Sequence, residues 1–339
     1  MKLVSVVILN WNGENYIKDC LDSLKKQKYK NYEIIVVDNN STDNSIKLIK
    51  KYFPKIKLIK NKENLGYSGG NNMGIQNSKG EYIILLNMDT LVDKDWLGEL
   101  VKVAESDKYI GTCQSKILLF DKKNKINTAG NAINFLGFGY CMDYLKDKNE
   151  VNNIREINFS SGASILIKRE VINKIGLLDK DFFLYGEDLD FGWRVLLQGY
   201  KNLLAPNSIV YHKYNFSRNN LKMYYLERNR LTILLKNYEL KTLILISPAF
   251  LFTEIGLLFY SVYKGFFTEK IKGYKDFFLT IKNTLTKRKK IQIERKIKDK
   301  EIIKLFSNEI KFEEIKNPFL DYIANPIIKK YYKLIRKLI

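Results

Sequence analysis

The 339-residue sequence predicts an α/β fold, a mainly parallel sheet flanked by helices, with a helical extension behind it. Three observations carry the prediction. Short unbroken apolar runs, of the kind that form strands buried on both faces, alternate with stretches whose apolar residues recur at helical spacing. The runs give way to Asn or Asp where a strand would end. Beyond about residue 220 the pattern turns helical and increasingly basic.

Val4 to Leu9 is the first run, broken by Asn12 and Gly13. Ile17, Cys20, Leu21 and Leu24 follow with the period of a helix. Tyr32 to Val37 repeats the strand pattern and stops at Asp38, and Ser41-Thr42-Asp43 is placed to cap a helix carrying Ile46, Ile49 and Phe53. Lys55 to Ile59 reads as a third strand, Gly69 to Gln76 as a helix, and Tyr82 to Leu86 as a fourth strand ending at Asn87-Met88-Asp89. This rhythm means right-handed βαβ units, whose ligands sit at the carboxyl ends of the strands. Asn10, Asp38 and Asp89 each fall at such an end and form a predicted site. Asn158 to Lys168 reads as a further strand, followed by an acidic turn, Gly186-Glu187-Asp188-Leu189-Asp190, that opens a helix with Trp193-Arg194. A short run holding Pro206 ends at His212.

Formal net charge is +21, from 58 Lys plus Arg against 37 Asp plus Glu. Such an excess favours an anionic partner. The tail carries runs such as Thr286-Lys287-Arg288-Lys289-Lys290 and Ile328-Lys329-Lys330. A basic tail beside an apolar segment points to an anionic membrane surface rather than a nucleic-acid groove. A Lys-rich solvated surface is the plain alternative. Cys20, Cys113 and Cys141 show no paired spacing, so neither a zinc site nor a disulfide framework is implied and a cytoplasmic setting fits. Met1 to Leu9 is apolar but short and lacks a small-residue cleavage site, so it reads as a strand and not a signal peptide.

No GxGxxG follows the first strand, and no GxxxxGK ending in Ser or Thr occurs, so the usual dinucleotide and triphosphate cradles are absent. Carboxylates at strand ends offer another way to hold a nucleotide. Asp38 is placed to accept a hydrogen bond from the N3–H of uracil or thymine, and Asp89 to hold a divalent cation that bridges a diphosphate.

Four segments occur in the order and spacing of family-2 glycosyltransferases. They are Val36-Val37-Asp38-Asn39-Asn40-Ser41-Thr42-Asp43, Asn64-Leu65-Gly66-Tyr67-Ser68-Gly69-Gly70-Asn71-Asn72-Met73-Gly74, Leu85-Leu86-Asn87-Met88-Asp89 and Gly186-Glu187-Asp188-Leu189-Asp190. The chain resembles the rhamnosyltransferase-like branch most closely, over roughly residues 3 to 235. The resemblance implies a GT-A nucleotide-diphospho-sugar transferase fold and an inverting single displacement. It makes Asp38 the nucleobase-binding residue, with Asp43 and Asn10 nearby. It places Gly69, Gly70 and Asn71 in a donor-binding loop where missing side chains let backbone approach ribose and phosphate. Asn87-Met88-Asp89 lies at the DxD-type motif, with Asn in place of the first Asp. Asp89 is then the one carboxylate for Mg2+ or Mn2+. Asp188 resembles the general base that takes the acceptor proton, with Glu187 orienting it or the acceptor. His212 resembles a contributor to the metal or diphosphate site, and Arg228 is suited to contact the leaving diphosphate.

The expected organisation is a catalytic domain over 1–235 and a basic helical extension over 236–339. Thr242 to Tyr263 has the length of a bilayer span but contains Pro248 and Glu254. A docked helix, an interfacial helix and a span all remain open for it. The functional expectation is sugar transfer from a nucleotide-sugar donor to a glycan or lipid-linked acceptor at the inner face of the cell membrane, with no nucleic acid as partner. A nucleotidyltransferase using the same cation, and a basic nucleic-acid-binding protein, are the alternatives.

Overall fold

The computed structural model describes residues 1–213, 220–311, 318 and 320–339. The chain forms two compact units. The first comprises Met1–Asn131, Cys141–Val195 and Tyr200–Asn215; the second comprises Ala132–Tyr140, Leu196–Gly199 and Phe216–Ile339.

The first unit opens with β1 (Val4–Asn10), α1 (Ile17–Lys25), β2 (Tyr32–Asp38), α2 (Ser45–Tyr52), β3 (Lys57–Lys60), α3 (Gly66–Gln76) and β4 (Tyr82–Asn87). It continues through β5 (Thr90–Val92), α4 (Trp96–Glu105), β6 (Ile110–Leu119) and β7 (Ile126–Thr128), before a small hairpin, β8 (Asn131–Ile133) and β9 (Gly139–Cys141), that falls mostly in the second unit. It closes with β10 (Arg155–Ile157), β11 (Ser164–Lys168), α5 (Arg169–Ile175), α6 (Glu187–Leu197) and β12 (Lys201–His212).

The main sheet runs β10-β12-β6-β11-β4-β1-β2-β3, with β5 on β12 and β7 on β6. Its first half is parallel as predicted: β1 pairs with β2 and β4, and β2 with β3. Beyond β4 the sheet is mixed. β11 enters after the long excursion from 120 to 163 and lies antiparallel to both β4 and β6. Alternate residues of β1 feed two cores. Val4, Val6 and Ile8 pack with Leu21, Trp96 and Leu100 on one face, while Val7 joins Ile35, Ile83 and Phe191 on the other. This two-sided burial is why the early strands read as continuous apolar runs.

Three boundaries differ from the sequence reading. The third strand is Lys57–Lys60, and the helix after it starts at Gly66 rather than Gly69. The strand expected over 158–168 is confined to β11, Ser164–Lys168, and is preceded by a turn closed by the Ser164 amide on the Ser161 carbonyl.

The second unit holds α7 (Asn220–Asn237), α8 (Leu240–Lys264), α9 (Phe267–Leu279), α10 (Ile281–Glu294), α11 (Asp299–Leu305) and α12 (Asn325–Leu338). The buried side of α8 carries Thr242, Ile246, Ala249, Thr253, Glu254 and Ser261. Glu254 ends in an ion network rather than in lipid. It is bonded by Arg230 and Tyr274, and by Lys270 at 3.1 Å. Glu227 shares Lys270 at 2.5 Å and Arg230 at 3.4 Å. Burial pushes the Glu254 carboxyl up, but the charges of Arg230 and Lys270 outweigh it and hold it down to about 2.

Candidate active site

β1 and β2 pair in parallel with Asn10 directly beside Asp38, so both side chains emerge together at the carboxyl end of the sheet. Asn10 Nδ2 lies 3.0 Å from Asp38 Oδ1, 3.0 Å from Ser41 Oγ and 2.9 Å from Ser45 Oγ. The Ser41 amide closes on Asp38 Oδ2 at 3.4 Å. Asp38 is only 5% exposed, held in a fixed orientation by this net.

Asp43 binds the Glu14 amide at 2.8 Å, the Ser45 amide at 3.0 Å and the Ser45 hydroxyl at 2.5 Å. Burial resists its ionisation, but the bonds from Ser45 and Glu14 prevail and lower its pKa. It therefore ties the turn after β1 to the start of α2. This is the helix-start role predicted for the 41–43 segment, with α2 beginning at Ser45.

Asn39, which sequence reasoning left unassigned, is the hub of the next turn. Its Nδ2 donates to Asn64 Oδ1 at 2.7 Å and to the Gly66 carbonyl at 3.1 Å. Its Oδ1 accepts from the Leu65 amide and Asn61 Nδ2, both at 3.0 Å. These bonds seat α3 against the strand ends.

The glycine-rich stretch assigned to donor binding forms that helix, Gly66–Gln76. A Cβ on Gly70 would lie 2.3 Å from Leu9 Cδ1, and one on Gly69 would lie 2.8 Å from Leu65 Cβ. The absence of a side chain at Gly70 lets α3 pack closely on β1. Asn71 is buried and donates to the Tyr67 carbonyl within the helix at 3.0 Å. Helix–sheet approach accounts for the glycine at position 70.

At the end of β4, Asn87 and Asp89 are half-buried. The Asn87 carbonyl accepts from Thr90 Oγ1 at 2.6 Å. β5 then pairs with β12 so that Thr90 lies opposite His212. This brings His212 Nε2 to 3.4 Å from Asp89 Oδ1, residues far apart in the chain that sequence reasoning had assigned to one metal. His212 Nδ1 lies 3.1 Å from Asn127 Oδ1, which fixes the ring's orientation with Nε2 on the Asp89 side. Asp89 Oδ1 is buried and makes no hydrogen bond. An imidazole nitrogen facing a carboxylate oxygen at this distance is a donor pair that suits a divalent cation. Among the described residues no three or more His, Cys, Asp or Glu converge into a metal cage. Two protein donors, with water and phosphate oxygens completing the shell, is the usual way Mg2+ is held beside a nucleotide.

The acidic turn is built under strain. Phe183, Tyr185 and Gly186 have φ of 59°, 64° and 83°, and they swing the chain sharply into α6. The Tyr67 amide anchors the turn on the Phe183 carbonyl at 2.6 Å. Glu187 is 6% exposed, and its Oε2 has no partner. Burial, with the charge of Asp188 added, pushes its pKa well up. Asp188 accepts from the Leu189 amide at 2.8 Å and the Gly162 amide at 3.2 Å. Burial raises its pKa as well, and the two amides pull it back only partly. Burial thus pushes both carboxyls of the pair up. Asp190 differs: it is fully buried and pairs with Arg194 at 2.9 Å.

Tyr67 joins these groups. Its hydroxyl donates to the Gly162 carbonyl at 2.6 Å, and the Gly162 amide is the one that binds Asp188. A Cβ on Gly162 would lie 2.4 Å from the Tyr67 hydroxyl, so this close passage requires glycine. Burial and the nearby charges of Glu187, Asp188 and Asp89 raise the phenol's pKa well above its ordinary value. Three carboxylates therefore converge around one tyrosine. Tyr67 lies inside the segment that carries the resemblance, yet nothing in its spacing announced the role.

Arg228 belongs to the second unit, on α7. Its Nε donates to Asn229 Oδ1 at 2.9 Å, and its guanidinium lies over the rings of Tyr224 and Tyr225, 5.5 and 5.1 Å from their centroids.

The description Glycosyl transferase family 2 matches residues 5–176. Among curated proteins, the glycosyltransferase GlyG of Streptococcus pneumoniae is 29% identical over 185 residues, 51% of this chain and 59% of GlyG. The match thus spans less than two thirds of that relative's length. Among solved structures, GalNAc-T7 with UDP, GalNAc and Mn2+ is similar with a TM-score of 0.59 at 19% identity, covering 74% of this chain and 50% of that one. Residues 1–349 of S. aureus TarS in complex with UDP-GlcNAc are similar with a TM-score of 0.55 at 17% identity, covering 99% and 91%. Both share the GT-A fold with this chain.

Proposed function

This chain belongs to glycosyl transferase family 2, and from that premise we propose that it moves a sugar from a nucleotide-diphospho-sugar to a hydroxyl of a glycan or lipid-linked acceptor, with inversion at the anomeric carbon. The observation that carries the reading is the pairing of Asp89 with His212 and the tie from Tyr67 through Gly162 to Asp188, in the unit whose strand ends hold Asn10 and Asp38. Hexoses, rhamnose among them, are the proposed sugars, following the branch that the motifs resemble.

Asp38 orients the nucleobase through the lone pairs its net leaves unused. Asp89 and His212 hold Mg2+ or Mn2+, which when bound neutralises charge on the diphosphate. Structures of this fold with UDP, GalNAc and Mn2+, and with UDP-GlcNAc, are in keeping with nucleotide and metal use. Asn87 lines the same strand end, and Arg228 is proposed to contact the leaving diphosphate. Asp188 accepts the proton of the acceptor hydroxyl as that oxygen bonds to the anomeric carbon and the bond from that carbon to the diphosphate breaks. The nucleoside diphosphate leaves with the electron pair. Glu187, buried beside Asp188, orients the base or the acceptor. One base suffices because the leaving group is already activated, which supports inversion.

A panel of UDP-, dTDP- and GDP-sugars with Mn2+ or Mg2+ tests the reading, following thermal stabilisation and released nucleotide. One donor should stabilise the wild type only with metal, release should be of nucleoside diphosphate, and Asp89→Asn should abolish the metal-dependent shift. Release of pyrophosphate from a nucleoside triphosphate would instead establish the nucleotidyltransferase alternative. If no nucleotide sugar binds with either metal, the donor-site assignment fails.

A further inference from the structure

Among the described residues one helix, Leu240–Lys264, is long and apolar enough to cross a membrane. Its two sides differ. One side is tied into the second unit through Glu254, which is held by Arg230, Lys270 and Tyr274. The other side is a continuous apolar stripe left to solvent. It includes Ile244 at 63%, Leu251 at 59%, Ile255 at 56%, Phe259 at 75% and Tyr263 at 78% exposure. These positions recur every four or seven residues, so they share one helical face. Pro248 lies on that face and is itself exposed, so its missing amide costs no buried contact.

A contiguous apolar patch of this extent marks an interaction surface. A span would need every side of α8 to meet lipid or apolar protein, whereas the Glu254 side is committed to a charged network within the unit. An interfacial helix needs only one apolar side. The charge around it selects the partner. Residues 236–339 hold 23 Lys and Arg against 11 Asp and Glu. Two copies meeting through this region would bring like charge together, whereas an anionic surface complements it. Beside the stripe, a cavity of about 420 Å³ opens among Leu231, Leu234, Ile246, Phe250 and Phe277. Leu251 of the stripe and exposed Phe278 also line it, so the cavity is continuous with the apolar face.

We propose that the outward face of α8 is a membrane-docking surface, lying in the plane of an anionic phospholipid bilayer with its stripe among the acyl chains and the surrounding lysines and arginines at the headgroups. The placement does not depend on the sugar-transfer reading. The test is sedimentation of the full chain with vesicles of phosphatidylglycerol and phosphatidylcholine, against phosphatidylcholine alone. It is run for the wild type and for Ile255→Asp/Phe259→Asp, with thermal unfolding and light scattering in parallel. The wild type should bind the anionic vesicles in a salt-sensitive way, and the double variant should bind them about tenfold or more weakly while melting as the wild type does. If the double variant does not fold, Phe259→Asp alone, at the more exposed of the two positions, gives the same comparison. Equal binding by a folded variant overturns the proposal. So does a wild type that ignores both vesicles, or a wild-type dimer that the substitution splits.

Discussion

Two pairs of buried carboxylates sit in this chain and behave in opposite ways. In the second unit, Glu227 and Glu254 are matched by Arg230 and Lys270, and Glu254 is held ionised down to about 2. In the first unit, Glu187 and Asp188 form no ion pair with any Lys or Arg among the described residues, and burial raises both pKa values. The first arrangement is what a folded interior does with charge it must keep. The second stores uncompensated charge at the mouth of the sheet, where a substrate hydroxyl can use it.

The largest test of the contrast is on stability. Glu254→Ala leaves Arg230 and Lys270 short of a counter-charge and should cost about 3–5 kcal/mol in denaturant unfolding. A loss well below that would mean the network is open to water. Glu187→Gln should do the reverse. It removes a buried carboxyl that gains nothing from ionising and should raise stability by about 0.5–2 kcal/mol while lowering turnover. A clear destabilisation would show that the Glu187 carboxyl has a partner in solution.

The pH dependence separates the two pairs by sign. Glu254 has a folded pKa below its ordinary 4.5, so its contribution is complete above that value and is lost as pH falls toward about 2. Glu187 has a raised folded pKa, so the folded state binds the extra proton. Its contribution is present below the ordinary value and is lost as pH rises through the raised one. Urea midpoints of wild type, Glu187→Gln and Glu254→Gln across pH should show the alkaline decline reduced only in the first variant and the acid decline only in the second.

Tyr67→Phe is the mildest change. It removes the 2.6 Å bond to Gly162 and so loosens the amide that binds Asp188. About 1 kcal/mol of stability should be lost. The telling readout is a shift in the acid limb of the rate profile, which simple loss of packing would not give.

How much of this was legible in the sequence follows from what is local. β1, β2 and β4 announced themselves because strands buried on both faces must be apolar throughout, and Asn10, Asp38 and Asp89 stood out as polar residues where those runs end. The direction of β11 was not legible, since pairing against β4 is decided by a long excursion rather than by any residue within the strand. Asn39 and Tyr67 were hidden for the same reason. Their importance lies in partners at Asn64, Gly66 and Gly162 that only the fold brings near. His212 was suggested by resemblance, and its approach to Asp89 depends on a two-strand register no spacing encodes. Glu254 looked like a flaw in an apolar helix until its cationic partners were seen.

The central claim is that Asp188 is the base that the unpaired cluster exists to serve. It is tested most directly by measuring donor binding and turnover side by side in Asp188→Asn, which preserves shape and the acceptor oxygen. The account predicts unchanged metal-dependent binding of the nucleotide sugar with turnover reduced about 10²–10⁴-fold. Turnover within a few-fold of wild type would contradict it and move the base elsewhere.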